Sequence, residues 1–268
     1  MRAAALEWDY GDAAHAYLKR PPYAPAAIAD VLATIRAPVG ARVCDVGAGT
    51  GNLTLPLAAA GFAVIAVEPN AAMRALGVER TAGAVRVRWL AASAEATALA
   101  AATCDVVTFG SSFNCVDGRR ALGEAARILG ADGSIVCLWN HRRLDDPLQL
   151  RVEAAICALV PDYAYGARRG DPTAALEQAG IFAVTGRIQR DVVHRVDVAD
   201  WLAAWSSHVT LKRQAGARLP AVLEAIERVV RDGAGQVIDV PYTTRAWTAR
   251  RRCATATCLA LDERSAPE

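Results

Sequence analysis

Several features that define special classes of protein are missing from this 268-residue sequence. The longest apolar stretch, residues 55–67, is interrupted by Pro56 and Gly61 and is too short to cross a bilayer. Acidic residues at positions 7, 9 and 12 break the N-terminal segment, so we expect no secretory signal there. These two absences predict a cytoplasmic protein without a membrane partner.

Paired motifs for metal binding or redox chemistry are missing as well. The seven cysteines form no C-x-x-C pair, and several lie in apolar runs such as "CDVV" and "IVCLW". Free cysteine packs as a small hydrophobe, so we interpret these residues as reduced core residues. Histidine, cysteine and acidic residues do not cluster at metal-ligand spacing, and we expect a metal-free protein.

An excess of positive charge is also absent. The formal net charge is +2, and lysine occurs only at positions 19 and 212. Because nucleic-acid-binding proteins need a strong basic surface, we expect no nucleic acid partner. The oligomeric state stays open.

What the sequence does contain is an alternation of short apolar runs with helix-like segments, which predicts a doubly wound, mostly parallel sheet. The first five predicted strands cover residues 41–46, 62–68, 84–90, 104–110 and 134–140. Helices predicted later cover residues 147–160, 172–179, 198–206 and 220–231, with two further strands at 184–194 and 237–248. Ligands of such sheets bind beyond the carboxyl ends of the strands.

A glycine-rich loop follows the first predicted strand, in "VCDVGAGTGNL" at residues 43–53. Glycine permits positive φ and close approach of a ligand to the backbone. A dinucleotide fingerprint would need a third glycine where Asn52 stands, and a phosphate-binding P-loop would need Lys followed by Ser or Thr at Asn52 and Leu53. The loop therefore predicts a nucleotide-like ligand of another kind.

"VCDVGAGTGNL" resembles motif I of the class I S-adenosylmethionine-dependent methyltransferases. "AVIAVEPNAAM" supplies an acidic residue, Glu68, where that family binds the ribose hydroxyls. "AASAEATAL" and the N-terminal "YLKRPPY" resemble the adenine-binding segment and the lid of the small-molecule branch, which includes trans-aconitate-type methyltransferases. The resemblance covers roughly residues 10 to 140 well.

The resemblance implies a Rossmann-like α/β fold whose seven-stranded, mostly parallel sheet has the order 3-2-1-4-5-7-6, with an antiparallel last strand. It implies one domain over residues 1–268: an N-terminal lid (1–38), a cofactor-binding core (39–140), a helical substrate cap with the sixth strand (141–236) and the last strand (237–252). The implied cofactor-binding residues are Tyr17, Arg20, Asp45, Gly47, Gly49, Gly51, Glu68, Pro69, Met73, Ser93, Ala94, Glu95, Gly110 and Ser111.

Acceptor-site candidates are less specific. Relatives commonly carry His and Trp where Asn114 and Cys115 stand, so we consider His141 and Asn140, at the end of the fifth strand, as replacement catalytic residues. A second catalytic candidate is His208. The candidate substrate-binding residues are Asn114, Trp201, Trp205 and Arg213.

Both histidines are about as well explained by a structural role as by catalysis. Arginine pairs at 142–143 and 168–169 usually mark solvated faces, and a clamp for a substrate carboxylate is the sharper hypothesis.

The sequence thus favours methyl transfer from S-adenosylmethionine to the oxygen, nitrogen or carbon of a small molecule in specialised metabolism, with S-adenosylhomocysteine as the product. Two alternatives stay open. A methyltransferase acting on RNA or protein would have a basic patch beside its pocket, and a protein that only binds the cofactor would have an occluded acceptor pocket.

Overall fold

A single mixed sheet of seven strands organises the protein. The computed structural model describes residues 13–164, 170–178, 180–231 and 235–252. The strands are β1 (Arg42–Val46), β2 (Ala63–Val67), β3 (Val87–Leu90), β4 (Cys104–Gly110), β5 (Leu129–Arg142), β6 (Phe182–Asp197) and β7 (Val237–Arg251). Their order is β3-β2-β1-β4-β5-β7-β6, with β7 antiparallel to both neighbours, which confirms the predicted fold.

Ten α-helices connect or cover the strands in the described part of the chain. They are α1 (Ala14–Tyr17), α2 (Pro25–Ile35), α3 (Thr54–Ala59), α4 (Ala71–Arg80), α5 (Gly118–Ile128), α6 (Pro147–Leu159), α7 (Thr173–Gln178), α8 (Val198–Ser206), α9 (Val209–Ala215) and α10 (Leu219–Arg231). The side chains of Asn70, Asp117 and Asp146 cap α4, α5 and α6 by accepting a backbone N–H of the first turn.

Helices on both faces of the sheet bury its central strands. On one face, α5 and α7 pack over β4 and β5, and on the other α2 and α3 pack over β1 and β2. Every residue of β1 after Arg42 is buried, as expected for a parallel strand covered on both sides. The carboxyl ends of β1, β2 and β4 are thereby held rigidly beside one another.

A separate apolar core lies beyond the end of β5. There α6, α8, α9 and α10 pack against the projecting end of the β6–β7 hairpin, with core residues that include Val152, Ile156, Trp201, Trp205, Leu211, Val222, Ile226 and Val240. We call these four helices and the hairpin end the cap. Residues 237–241 of β7 pair with β6 alone, so the hairpin continues past the sheet and carries the cap.

Three strands are longer than predicted from the sequence. β5 begins at Leu129 instead of Ser134, because Leu129 pairs with Cys104 across a register shift in β4. β6 extends to Asp197 because its last residues pair with the start of β7 beyond the reach of β5, and β7 extends to Arg251, which pairs with Phe182 of β6. Local hydrophobic patterns do not report such pairing.

Predicted features at the chain ends and in one internal segment lie outside the described residues. These are the first twelve residues of the lid, the arginine pair at 168–169, and the cysteines at 253 and 258. Within the described residues, no helix has the length and apolar character needed to span a bilayer. The same residues contain no group of three or more His, Cys, Asp or Glu side chains arranged to hold a metal.

Candidate active site

The glycine loop leaves β1 with a backbone that only glycine adopts readily. Gly47, Gly49 and Gly51 have φ of 66°, 59° and 83°. A Cβ atom on Gly47 would lie 2.5 Å from the Cβ of Ser112, so space as well as conformation requires glycine there. The amide of Gly47 donates to the carbonyl of Val67 over 2.8 Å, which ties the loop to the end of β2.

Glu68 immediately follows β2 and faces this loop. Its Oε2 accepts from the amide of Gly49 over 2.9 Å, and its Oε1 accepts from the amide of Asn70 over 2.8 Å. Burial raises the pKa of the Glu68 carboxyl, and the two amide donors oppose that rise. Each carboxylate oxygen has two lone pairs, so both can accept a further hydrogen bond from a ligand.

The loop and Glu68 border a cavity of about 180 Å³, which we call the loop cavity. It lies at the carboxyl ends of the parallel strands, where α/β sheets bind ligands. Its lining residues are Tyr17, Gly47, Gly49, Glu68, Pro69, Asn70, Met73, Ser93, Ala94, Glu95, Gly110, Ser111, Ser112, Cys115 and Val116.

A second, narrower cavity of about 60 Å³, which we call the cap cavity, lies between the sheet edge and the cap. Its lining residues are Tyr17, Lys19, Arg20, Pro21, Tyr23, Asn52, Ser111, Asn114, Asn140, Arg142, Trp201, Ala204, Trp205, His208, Thr210 and Tyr242. Tyr17 and Ser111 line both cavities, so the two meet at these residues.

Aromatic side chains of α8 and the turn after it roof the cap cavity. The rings of Trp201 and Trp205 meet edge to face with centroids 5.6 Å apart. His208 stacks on Trp205 with a centroid distance of 4.7 Å and an interplanar angle of 24°. The roof is a rigid, largely apolar surface with one imidazole in it.

Arg142, the last residue of β5, supplies buried charge to the wall of this cavity. Its side chain is 2% exposed, and its Nη2 donates to Glu153 of α6. The guanidinium carbon lies 5.0 Å from the centre of the Trp205 ring, which adds a cation–π contact. These two contacts fix the orientation of the guanidinium.

Comparison with known proteins identifies the domain that carries this geometry. Residues 44–137, from β1 into β5, match the family described as a methyltransferase domain. This part of the chain is therefore similar to a methyltransferase domain. An uncharacterized methyltransferase of Mycobacterium tuberculosis is 39% identical over 139 residues, which cover 51% of this chain and 54% of that protein. The match therefore spans about half the length of this relative.

Two further similar proteins are also named methyltransferases. A ubiquinone/menaquinone biosynthesis C-methyltransferase of Rubrivivax gelatinosus is 37% identical over 37% of this chain and 39% of its own. A structure described as a type II methyltransferase from Anaeromyxobacter dehalogenans superposes with a TM-score of 0.59 at 21% identity, covering 87% of this chain and 98% of that one. At this identity the structural likeness shows the fold.

Most of the predicted cofactor residues come together around the loop cavity. Eleven of the fourteen line the loop cavity, and the exceptions are Arg20, Asp45 and Gly51. Arg20 lines the cap cavity, where its Nε donates to the Ser207 hydroxyl and its Nη2 to the Ser207 carbonyl, both over 2.7 Å. Arg20 thus connects the lid to the end of α8.

Asp45 lies beneath the glycine loop instead of in the loop cavity. Its carboxylate is fully buried and accepts from the hydroxyls of Thr54 and Thr108 over 2.7 and 2.9 Å. Burial raises the pKa of Asp45 to about 6, although the two hydroxyl donors oppose the rise. Gly51 likewise faces the Trp89 ring, 3.4 Å from where its Cβ would be. Both residues support the loop from behind.

Of the acceptor-site candidates at the end of β5, the structure places one beside the cap cavity. Asn140 lines this cavity, and its amide donates to the carbonyls of Pro21 and Pro22 and accepts from the Thr244 hydroxyl, so these hydrogen bonds favour a scaffold role. His141 does not line the cavity, because successive strand residues point to opposite faces and Asn140 and Arg142 occupy the cavity face.

Arg213, a predicted substrate-binding residue, is exposed on α9 and does not line the cap cavity. The predicted residues Asn114, Trp201, Trp205 and His208 do line it, and Asn114 Oδ1 accepts from the indole N–H of Trp139 over 2.8 Å. Tyr23, Thr210 and Tyr242 also line the cap cavity, and no local sequence motif predicts this. The arginine pair at 142–143 drew attention to Arg142 in the sequence, although such pairs usually mark solvated faces.

Proposed function

We propose that this protein transfers a methyl group from S-adenosylmethionine to a small-molecule acceptor in a biosynthetic reaction, releasing S-adenosylhomocysteine. The observation that carries the proposal is that the loop cavity and the cap cavity meet at Tyr17 and Ser111. Methyl transfer requires the acceptor atom to approach the methyl carbon in line with the sulfur, and two adjoining cavities provide this arrangement. The relative named for ubiquinone and menaquinone biosynthesis supports a small-molecule acceptor.

The residues of the loop cavity suit the parts of S-adenosylmethionine. Glu68 offers two acceptor oxygens to the ribose hydroxyls, and Ser93, Ala94 and Glu95 form the wall expected to face the adenine. Tyr17 would close over the methionine moiety. When bound, the cofactor supplies an electrophilic methyl carbon on a positively charged sulfur.

The cap cavity would hold the acceptor and exclude water. Trp201 and Trp205 present flat apolar surface to it, which suits an aromatic or apolar molecule. Among the described residues, His208 is the only histidine that lines the cavity. We assign it as the general base for a hydroxyl, amine or acidic carbon acceptor, since an unperturbed imidazole titrates near neutral pH.

A calorimetric titration with S-adenosylhomocysteine tests the cofactor assignment. Glu68→Ala should weaken binding by about 1 to 3 kcal/mol, the range for hydrogen bonds to a charged group. Glu79→Ala, on α4 away from the loop cavity, is the matched control and should bind as the wild type does. Equal affinity for wild type and Glu68→Ala would contradict the ribose assignment.

Methyl transfer itself is tested by incubating the protein with S-adenosylmethionine and pools of small molecules, followed by mass detection of methylated products. With a product in hand, His208→Ala should lower kcat roughly a hundredfold while S-adenosylhomocysteine affinity is retained. A kcat within a few fold of wild type would remove the general-base assignment. Cofactor binding without any methylated product would favour a protein that only binds the cofactor.

A further inference from the structure

The lining of the cap cavity is cationic. Among the described residues it includes Lys19, Arg20 and Arg142, and it includes no aspartate or glutamate. A cavity walled by charge of one sign concentrates ligands of the opposite sign. Resting on the proposed function, we propose that the methyl acceptor carries an anionic group, a carboxylate or a phosphate, and that Arg142 binds it.

Arg142 is the cation best placed for this role. Its side chain is almost fully buried, so its charge is weakly screened by solvent. Lys19, in contrast, pairs with Asp200 on the outside, where the two side chains are 44% and 41% exposed. Arg20 donates to the hydroxyl and carbonyl of Ser207 and holds the lid to the cap.

Glu153 holds Arg142 in orientation from the side of α6. Its carboxylate accepts from Nη2 of Arg142, but Glu153 does not line the cavity. A guanidinium presents five N–H donors in one plane, so the contact between Nη2 and Glu153 is compatible with binding an anion along another edge. Glu153 therefore positions the guanidinium and at the same time weakens its attraction for a ligand.

The roof restricts the rest of the acceptor. Arg142 and His208 both contact the ring of Trp205, at 5.0 Å and 4.7 Å. Because both residues lie against the same indole ring, an anionic group bound to Arg142 would lie near the proposed base, His208. The ligand that fits this arrangement is a small, flat molecule with an acidic group at one end and its methylated atom near His208.

Calorimetry with paired probes tests the proposal on the protein saturated with S-adenosylhomocysteine. Cinnamate is compared with cinnamamide, and phenyl phosphate with phenol, so that each pair differs mainly in the anionic group. Wild type should bind at least one anion about tenfold or more tightly than its neutral partner, because a charge-assisted pair contributes about 1.5 kcal/mol or more. A preference confined to cinnamate assigns a carboxylate acceptor, and one confined to phenyl phosphate assigns a phosphate.

Three variants separate anion binding from general stability. Glu153→Gln should raise anion affinity several fold, because it removes the negative charge that competes for Arg142. The double variant Arg142→Gln/Glu153→Gln, which leaves no isolated buried charge, should abolish the preference for the anion. Arg143→Gln changes an exposed neighbour that pairs with Asp145 and Asp191, and it should keep the preference.

The outcomes are distinct from those that test the proposed function. S-adenosylhomocysteine affinity is measured first and reports on the cofactor site alone. If S-adenosylhomocysteine does not bind, the anion titrations are run on the protein without it. Equal binding of acid and neutral partner, failure of both anions to bind, or a preference that persists in the double variant would overturn the proposal.

Discussion

The two adjoining cavities are built in different ways. The loop cavity is formed largely by backbone and by small side chains that follow successive strands, with Glu68 as its fixed acceptor. The cap cavity is formed by large side chains from the lid, the end of β5, α8 and the turn after it. The cavity that we propose for the cofactor is thus encoded locally, while the cavity that we propose for the acceptor is assembled from distant segments.

The two cavities also differ in the charge of the side chains that line them. The loop cavity has carboxylates, Glu68 and Glu95, facing it, whereas the described lining of the cap cavity has three cations and no acidic side chain. Buried charges interact strongly with ligands because water screens them poorly. If the proposed function holds, the two cavities should prefer ligand groups of opposite charge, and changes in one should leave the other intact.

The largest expected effect comes from adding one methyl group to the glycine loop. Gly47→Ala would place a Cβ 2.5 Å from the Cβ of Ser112 at a φ of 66°. Strain and overpacking should together lower the free energy of unfolding by roughly 3 to 5 kcal/mol and disrupt cofactor binding. Denaturant unfolding and S-adenosylhomocysteine titration would measure both effects.

Two controls locate that effect in the loop. Gly123→Ala, in α5 where an added Cβ meets nothing within 4 Å, should be neutral or stabilising. Adding Ser112→Gly to Gly47→Ala should recover part of the stability by removing the clash. If Gly47→Ala unfolds at the same denaturant concentration as the wild type, the loop tolerates a side chain. That result would contradict the view that the loop cavity requires glycine backbone.

Asp45 should give the loop region its own pH dependence. The pKa of Asp45 is raised by burial to about 6, whereas the carboxyl titrates near 3.8 in the unfolded chain. Between these values the folded state holds a proton that the unfolded state has released, so stability falls as pH rises from about 4 to about 6. Two pKa units correspond to roughly 3 kcal/mol.

The measurement is the difference in unfolding free energy between Asp45→Asn and wild type across pH 2 to 7, which should shift in favour of the variant as pH rises from about 4 to about 6. Glu124→Gln provides a control of opposite sign. Hydrogen bonding to Arg127 lowers the pKa of Glu124 to about 2, so its contribution is present above about pH 4.5 and is lost toward pH 2. A flat difference for Asp45→Asn would show that Asp45 is ionised in the folded state.

On the side of the cap cavity, Asn140 should behave as a scaffold. Asn140→Ala leaves the Thr244 hydroxyl and the carbonyls of Pro21 and Pro22 without this partner, which should cost about 2 kcal/mol of unfolding free energy. Thr244→Val removes the other end of the same network. The double variant should lose less than the sum of the single losses, as coupled residues do.

Additive losses in that cycle would contradict the shared network. A fall in kcat without any loss of stability would return Asn140 to the list of catalytic candidates. Cofactor affinity in Asn140→Ala should stay near that of wild type, because Asn140 does not line the loop cavity.

The smallest effect is expected at the outer rim of the lid. Lys19 and Asp200 form an ion pair with an N–O distance of 2.7 Å, but both side chains are more than 40% exposed. Lys19→Met should change the unfolding free energy by about 0.5 kcal/mol or less, and salt should erase the difference. A loss above about 1.5 kcal/mol would mean that lid and cap are held together at this rim instead of at Arg20 and Ser207.

Sequence patterns predicted the fold well because they are local consequences of burial. Six of the seven strands begin within three residues of their predicted starts, and the antiparallel last strand followed from the resemblance to a known family. The exception, β5, begins early because Leu129 pairs with Cys104 of another strand. His141 was misplaced for a related reason, since the pattern located the strand end correctly but not the face that borders the cap cavity.

The sequence by itself determined the order of strands and helices, the glycine loop and the acidic residue opposite it, because hydrophobic period and glycine spacing act over a few residues. The tertiary structure alone decided which side chains surround the cap cavity. Arg20 meets Ser207 across 187 positions, and Asn140 meets Pro22 across 118. Contacts at such separations depend on how the lid and the β6–β7 hairpin pack over the sheet. The arginine pair at 142–143 predicted a solvated face, but this packing buries Arg142 in the wall of the cap cavity.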